Sequence, residues 1–377
     1  MKRLGLAGVA LAVLFLTMVG AAWAETTTTV CVPEASSKPV LSTNTKGECP
    51  PKGSKPIKYR SVQLPGTGGL ETLNKILPHV SYVESGVGGK PTIKLTGVNL
   101  QVTSGETEAI TNGLGNVVIG ADEAPRAHTG SNNLVVGGAG QQFTSYGGIV
   151  AGADNTSGAP YASVTGGQAN TASGEFASVS GGRENSASAD HSSVSGGKDN
   201  EASGEYASAS GGQANTASGP FASLAGGLSN NASGFYVSLA GGEENTALGE
   251  SSTISGGQKN TSGSFGIASS ISGGRENQTG ARYSSVTGGK GNVAEGEAAS
   301  ISGGTGNVVT GLYSWISGGI GNHASAEASS VSGGEENAAS NGGASVQGGL
   351  RNKATGVVSS IFGGVELTAS GAGEAKP

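Results

Sequence analysis

Gly-Gly recurs at residues 166, 181, 196, 211, 226, 241 and 256, and again at 273, 288, 303, 318, 333, 348 and 363. The step is 15 residues throughout, except for one of 17 where Ser264–Gly266 lengthens a turn. Two places before each pair stands an aliphatic residue or alanine, from Val164 and Val179 through Ala209 to Ile361. Three places after every second glycine but the last stands an asparagine: Asn170, Asn185, Asn200, Asn215, Asn230, Asn245, Asn260, Asn277, Asn292, Asn307, Asn322, Asn337 and Asn352. A unit this short cannot hold a helical hairpin, whose repeats run to ~33 residues or more. It suits two short strands and two turns.

In Ser-Val-Ser the valine points inward while the serines face out, as strand alternation requires. Asn-x-Ala supplies a second, smaller inward position. Glycine reaches backbone conformations that strain other residues, and asparagine tolerates the left-handed region while bonding nearby backbone. The asparagines are therefore read as a stacked structural turn column. Only 35 % of the 377 residues are apolar and 13 % charged, against 70 glycines. A thick-cored globular enzyme does not fit, and a net charge of -6 is too small for charge-driven disorder. Collagen is excluded because the glycines come in pairs.

The repeat resembles the head repeat of YadA-like trimeric autotransporter adhesins, S-V-A-I-G-x-x-A-x-A-x-G-x-x. In the run from Ser163 to Gly174, SVTGGQANTASG, the serine, valine, second glycine, alanine and later glycine coincide with it. Here Gly replaces Ile, Asn replaces the first Ala, and each rung has one extra residue. The resemblance covers about 116–367 and implies a left-handed parallel β-roll of three chains that binds host or matrix surfaces. A thin core per coil predicts an oligomer, with the aliphatic column facing a shared or near-axial core; that the oligomer is a homotrimer is what the resemblance implies. No heptad stalk or membrane anchor follows the repeats, so the autotransporter export route is not expected.

The expected organisation is a signal peptide over 1–24, an irregular, β-containing cap over 25–112, β-roll repeats over 113–367 and a flexible tail over 368–377. Met1-Lys2-Arg3, the apolar run Leu4–Val19 and Ala22-Trp23-Ala24 have the pattern of a secretory leader cleaved after Ala24. Cys31 and Cys49 are read as one disulfide of an oxidising compartment. Lys52, Lys55, Lys58 and Arg60 read as a solvated basic loop. Leu64-Pro65-Gly66-Thr67-Gly68 matches the cell-wall sorting pattern LPxTG but sits near the N-terminus, so it reads as a turn. A short helix is expected over Gly69–Leu77, with Leu70, Leu73, Ile76 and Leu77 on one side and Pro78 ending it. Strands are expected over His79–Val83 and Thr92–Val102, the second bulged at Gly97. Asn116–Gly120, Asn133–Gly137 and Gly148–Gly152 read as irregular opening rungs.

Six places after the asparagines recur Phe176, His191, Tyr206, Phe221, Tyr236, Tyr283 and Tyr313. Two readings stand: a contact stripe for sugar or protein, and a cover that supports the stack; the second is preferred. Charged pairs between glycine and asparagine, such as Arg183-Glu184 and Glu335-Glu336, change sign between rungs and suit solvated turns. Paired carboxylates for glycoside hydrolysis need one fixed separation in a cleft, which no pair here singles out. Calcium β-rolls need aspartate where this column has neutral Asn, and His79, His128, His191 and His323 are scattered. No catalytic, cofactor or metal site, nucleic-acid partner or transmembrane anchor is expected. The expectation is an exported, non-enzymatic protein, extracellular or at a cell surface, acting in adhesion or as a structural rod. A binder of ice or crystal faces is the first alternative, and a polysaccharide-acting β-helix enzyme the second.

Overall fold

The computed structural model describes residues 28–33, 41–42, 59–64, 72, 74–106, 111–120 and 127–377. The chain divides into two units, 1–101 and 102–377. The expected leader, Cys49, most of the basic loop and residues 65–68 lie outside the described residues. Among the described residues no helix is long and apolar enough to cross a membrane.

In the first unit Thr28–Pro33 is the central strand of a three-stranded antiparallel sheet, flanked by Leu41–Ser42 and Tyr59–Leu64. Helical residues 74–76 run into a 3-10 turn, Leu77–His79. Val80–Val83 then pairs with Thr92–Leu95 as an antiparallel hairpin. The second strand stops at Leu95 and does not reach Val102. Gly97 takes a φ of 71°, a left-handed conformation that ends the strand and does not bulge it.

The second unit is an all-β parallel solenoid. Ser163–Val164 stacks in register on Ser178–Val179, and the same dipeptide position repeats to Ser360–Ile361 and Ala375–Lys376. Thr171–Ala172 stacks likewise on Ser186–Ala187, in a ladder running from Gln142–Phe143 to Thr368–Ala369. Between the ladders, single bridges join Gln168, Arg183, Lys198 and their successors to Val365. Val117–Gly120, Leu134–Gly137 and Ile149–Gly152 open the first ladder. The unit begins before the expected boundary at 112/113 because its leading segment bonds onto the first coils. The Ser104 N–H donates to Asn132 Oδ1 at 2.8 Å and the Asn112 N–H to Ser131 Oγ at 2.8 Å.

The core is one residue wide. Val164, Val179, Leu224, Ile254, Ile301 and Ile361 are fully buried, as are the alanines of the second ladder from Ala172 to Ala369. A third inward column, Ala162, Ala177, Ser192, Ala207, Val237 and Ser252 among them, closes the coil. Several of its serines bond backbone, as Ser192 Oγ donates to the Ala189 carbonyl at 2.6 Å, whereas the buried Ser252 Oγ has no partner among the described residues. All this burial occurs within one chain. Of the two expected settings for the aliphatic column, a core shared between chains or a near-axial one, the structure has the near-axial: the column faces the alanines of its own coils.

The expected tail over 368–377 is also corrected. Thr368–Ala369 pairs with Lys353–Ala354, and Ala375–Lys376 with Ser360–Ile361, which makes this segment the last coil. In the coil before it, the Thr355 and Gly356 N–H groups donate to the Ala369 carbonyl at 2.8 and 3.0 Å. In the last coil the equivalent Ser370 and Gly371 N–H groups donate instead to Glu374 Oε2, at 2.7 and 2.8 Å. A carboxylate stands in for the carbonyl of a further coil.

Candidate functional site

Each asparagine of the repeat is buried and turned into the coil. Its Oδ1 accepts the main-chain N–H of the asparagine one coil on, at 2.8–3.1 Å, without a break from Asn155 to Asn352. Its Nδ2 donates twice, to the carbonyl of its own first glycine and to that of the next coil's second glycine. For Asn245 these are Gly241 at 3.0 Å and Gly257 at 2.9 Å. Gln141 Oε1 starts the ladder by accepting the Asn155 N–H at 3.1 Å, and the Leu367 N–H ends it on Asn352 Oδ1 at 2.9 Å. The long step is absorbed outside it, since the Asn277 N–H still reaches Asn260 Oδ1 at 3.0 Å.

The reading of asparagine as the left-handed residue is corrected. The positive φ belongs to the residue before it: Ala169 at 56°, Glu184 at 58°, Asp199 at 55°. That twist aims the next side chain inward, where an amide with one acceptor and two donors satisfies three backbone groups. Of each glycine pair, the second carries the left-handed conformation, with φ of 82–96°. A Cβ there would overlap the second-glycine carbonyl of the next coil, as at Gly212 against Gly227.

The aromatic column lies at another left-handed corner. Phe176, His191, Tyr206, Phe221 and Tyr236 all have φ of 56–57° and stack ring on ring, at centroid distances of 5.1, 4.5, 5.1 and 4.9 Å. Tyr161 extends the stack at 4.9 Å from Phe176, and Tyr146 meets Tyr161 edge-on at 5.3 Å. Burial of Tyr146, and then its neighbours Tyr161 and Glu175, push its phenol above the usual value. Phe235 packs edge-on against both Phe221 and Tyr236. Six-residue spacing from Asn155 marks Tyr161 in the sequence; Tyr146 and Phe235 fall off that spacing.

Tyr283 and Tyr313 share the corner conformation, at 58° and 57°, but stand without ring neighbours among the described residues. Ala268, Ala298 and Ala328 occupy the rungs around them. The column is therefore two things. Over 161–236 neighbouring rings cover one another's faces, and an inner ring such as Tyr206, stacked on both sides, leaves no face for a sugar to stack on. At Tyr283 and Tyr313 no ring covers the faces, and exposure is 59 % and 60 %, against 47 % at Tyr206 and 52 % at Tyr236.

The charged turns behave as solvated pairs. Arg183 meets Glu184 at 3.2 Å, Lys198 meets Glu184 of the previous coil at 3.9 Å, and Arg351 meets Glu366 at 2.8 Å, all with exposed side chains. Such pairs contribute little each. Among the described residues no three His, Cys, Asp or Glu side chains converge as metal ligands would. Cys31 lies in the strand Thr28–Pro33; its expected bond to Cys49 falls outside the described residues. Comparison with protein-family profiles and with curated protein sequences gives no match.

Proposed function

We propose that this chain is an exported, non-enzymatic repeat rod that acts in surface adhesion or as an extracellular spacer. The observation that carries this reading is the unbroken asparagine ladder. It commits the inward amide of every repeat to holding one coil on the next, which is what a long stiff element of thin core requires. The exposed positions change residue type from coil to coil, which favours a scaffold over a catalytic pair set at one place. The serines beside the aliphatic column, Ser163, Ser178, Ser193 and Ser208 among them, do recur at strand spacing, so weak contacts to them act in many copies and avidity replaces a single tight site.

The test is binding of the secreted chain to matrix-protein and glycan arrays, beside variants lacking whole coils. Apparent affinity should climb steeply with coil number, and the secreted chain should begin at Glu25. Binding independent of coil number, or turnover of a glycan, would replace this reading. Thermal hysteresis in the same preparation would move it to a binder of crystal faces.

A further inference from the structure

The aromatic edge is complementary to itself. After the continuous rings, the column reads Ser251, Ala268, Tyr283, Ala298, Tyr313, Ala328, Gly343, Val358, Gly373, one residue per coil. The column before it in sequence reads Pro220, Phe235, Glu250, Ile267, Arg282, Glu297, Leu312, Glu327, Gly342, Val357. The two columns are joined coil to coil, since the Tyr283 N–H donates to the Ile267 carbonyl, that of Ala298 to Arg282, and that of Tyr313 to Glu297.

We propose that two copies of this chain pair antiparallel along this edge, with a two-fold axis between the coils of Tyr283 and Ala298. In that register Tyr283 of one copy enters the rung of Ala298 in the other, and Tyr313 enters the rung of Ala268. Farther out, Tyr236 and Phe221 face Gly343 and Val358, so every ring of this column meets a column position without a ring; Phe265, projecting from the coil of Ala268, lies in the rung that receives Tyr313. The second column agrees: Arg282 faces Glu297, Ile267 faces Leu312 and Phe235 faces Gly342. Only Glu250 against Glu327 is unfavourable. A shift of one coil either way sets Tyr283 against its own copy or against Tyr313.

Exposure and charge support this occupant. Tyr283, Tyr313 and Phe265, the last 81 % exposed in the coil of Ala268, crowd beside the axis. Among the described residues Arg282 and Glu297 make no ion pair, whereas Arg351 and Glu366, also one coil apart, do. The copies would overlap over about 12 coils, an edge about 58 Å long at about 4.8 Å per coil. It need be only about 14 Å wide to reach the ~800 Å² per partner typical of a stable complex.

The experiment is sedimentation equilibrium on the full secreted chain at micromolar concentration. A dimer is expected. Arg282→Glu and Glu297→Arg should each weaken self-association at least tenfold, because each sets like charges opposite each other, while the circular dichroism stays that of the parent. An equimolar mixture of these two variants should recover the dimer, since every 282 then faces an opposite charge at 297. Ala298→Tyr, which fills the receiving rung, should also leave monomers. A parent that is monomeric or trimeric, or a mixture that stays monomeric, overturns the proposal.

Discussion

Asn200 Oδ1 accepts both the main-chain N–H of Asn215, at 3.1 Å, and its side-chain amide, at 3.0 Å. Two hydrogen bonds thus tie consecutive coils at a point where neither side chain reaches water. Asn215→Ala would leave the Asn230 N–H without its acceptor and remove the donors to the Gly211 and Gly227 carbonyls. A loss of about 2–4 kcal/mol is expected, from one orphaned buried donor plus a small cavity. Urea unfolding of the variant checks it. In a stack where each coil touches only its neighbours, the loss should also split the transition in two.

The two glycines of a pair should answer oppositely to the same change. Gly212→Ala puts a methyl group into the Gly227 carbonyl and forces alanine to a φ of 83°. This should cost more than about 2 kcal/mol, the left-handed conformation alone accounting for ~1–2. At Gly211 nothing lies within 4 Å of where a Cβ would stand. Gly211→Ala should be neutral or stabilise by up to ~1 kcal/mol through the unfolded chain. Melting temperatures of the two single variants decide it.

Tyr206 stacks on His191 at 4.5 Å and on Phe221 at 5.1 Å. Tyr206→Ala should remove about 1–2 kcal/mol, since an aromatic pair contributes ~0.5–1.5 beyond its buried area. The near-ultraviolet circular dichroism of the coupled rings should fall by more than one tyrosine's share. Tyr313→Ala, which breaks no stack, should leave both stability and spectrum of the monomer close to the parent.

Glu374 titrates at about 2, below its ordinary 4.5. The Lys376 ammonium bonded to it is the first cause, and the Gly371 and Ser370 N–H groups follow. The ionised form is the one the fold prefers, so its stabilisation is complete above the ordinary value and disappears as pH falls from there through about 2. Protection of the Ser360 and Phe362 amides, whose N–H groups bond the Glu374 and Lys376 carbonyls at 2.8 and 3.0 Å, should fall in that window when exchange is taken relative to the intrinsic rate at each pH. Glu374→Gln should show low protection at these amides already at neutral pH, with no further loss of protection on acidification.

Much of this architecture is written in spacing. Val164, Val179 and Ile361 declare an inward column because strand alternation and a fixed 15-residue step leave them no other face. The third column, Ala177 and Ser192 among them, recurs at the same step, but its inward side was not legible, since small residues bury or expose at little cost. The strand Thr28–Pro33 was equally silent, because its partners, Leu41–Ser42 and Tyr59–Leu64, lie far along the chain.

Period, rung length, strand positions and the aliphatic column were determined by the sequence alone, because each follows from local geometry repeated. Which way an asparagine points was decided only by the tertiary structure. The left-handed residue sits one place earlier than composition suggests, and the amide gains its three backbone partners only once a second coil lies against the first. The same holds for the rings: their spacing is sequence, but whether a ring face is covered, as at Tyr206, or open, as at Tyr283, depends on what the adjacent coils place at the same corner.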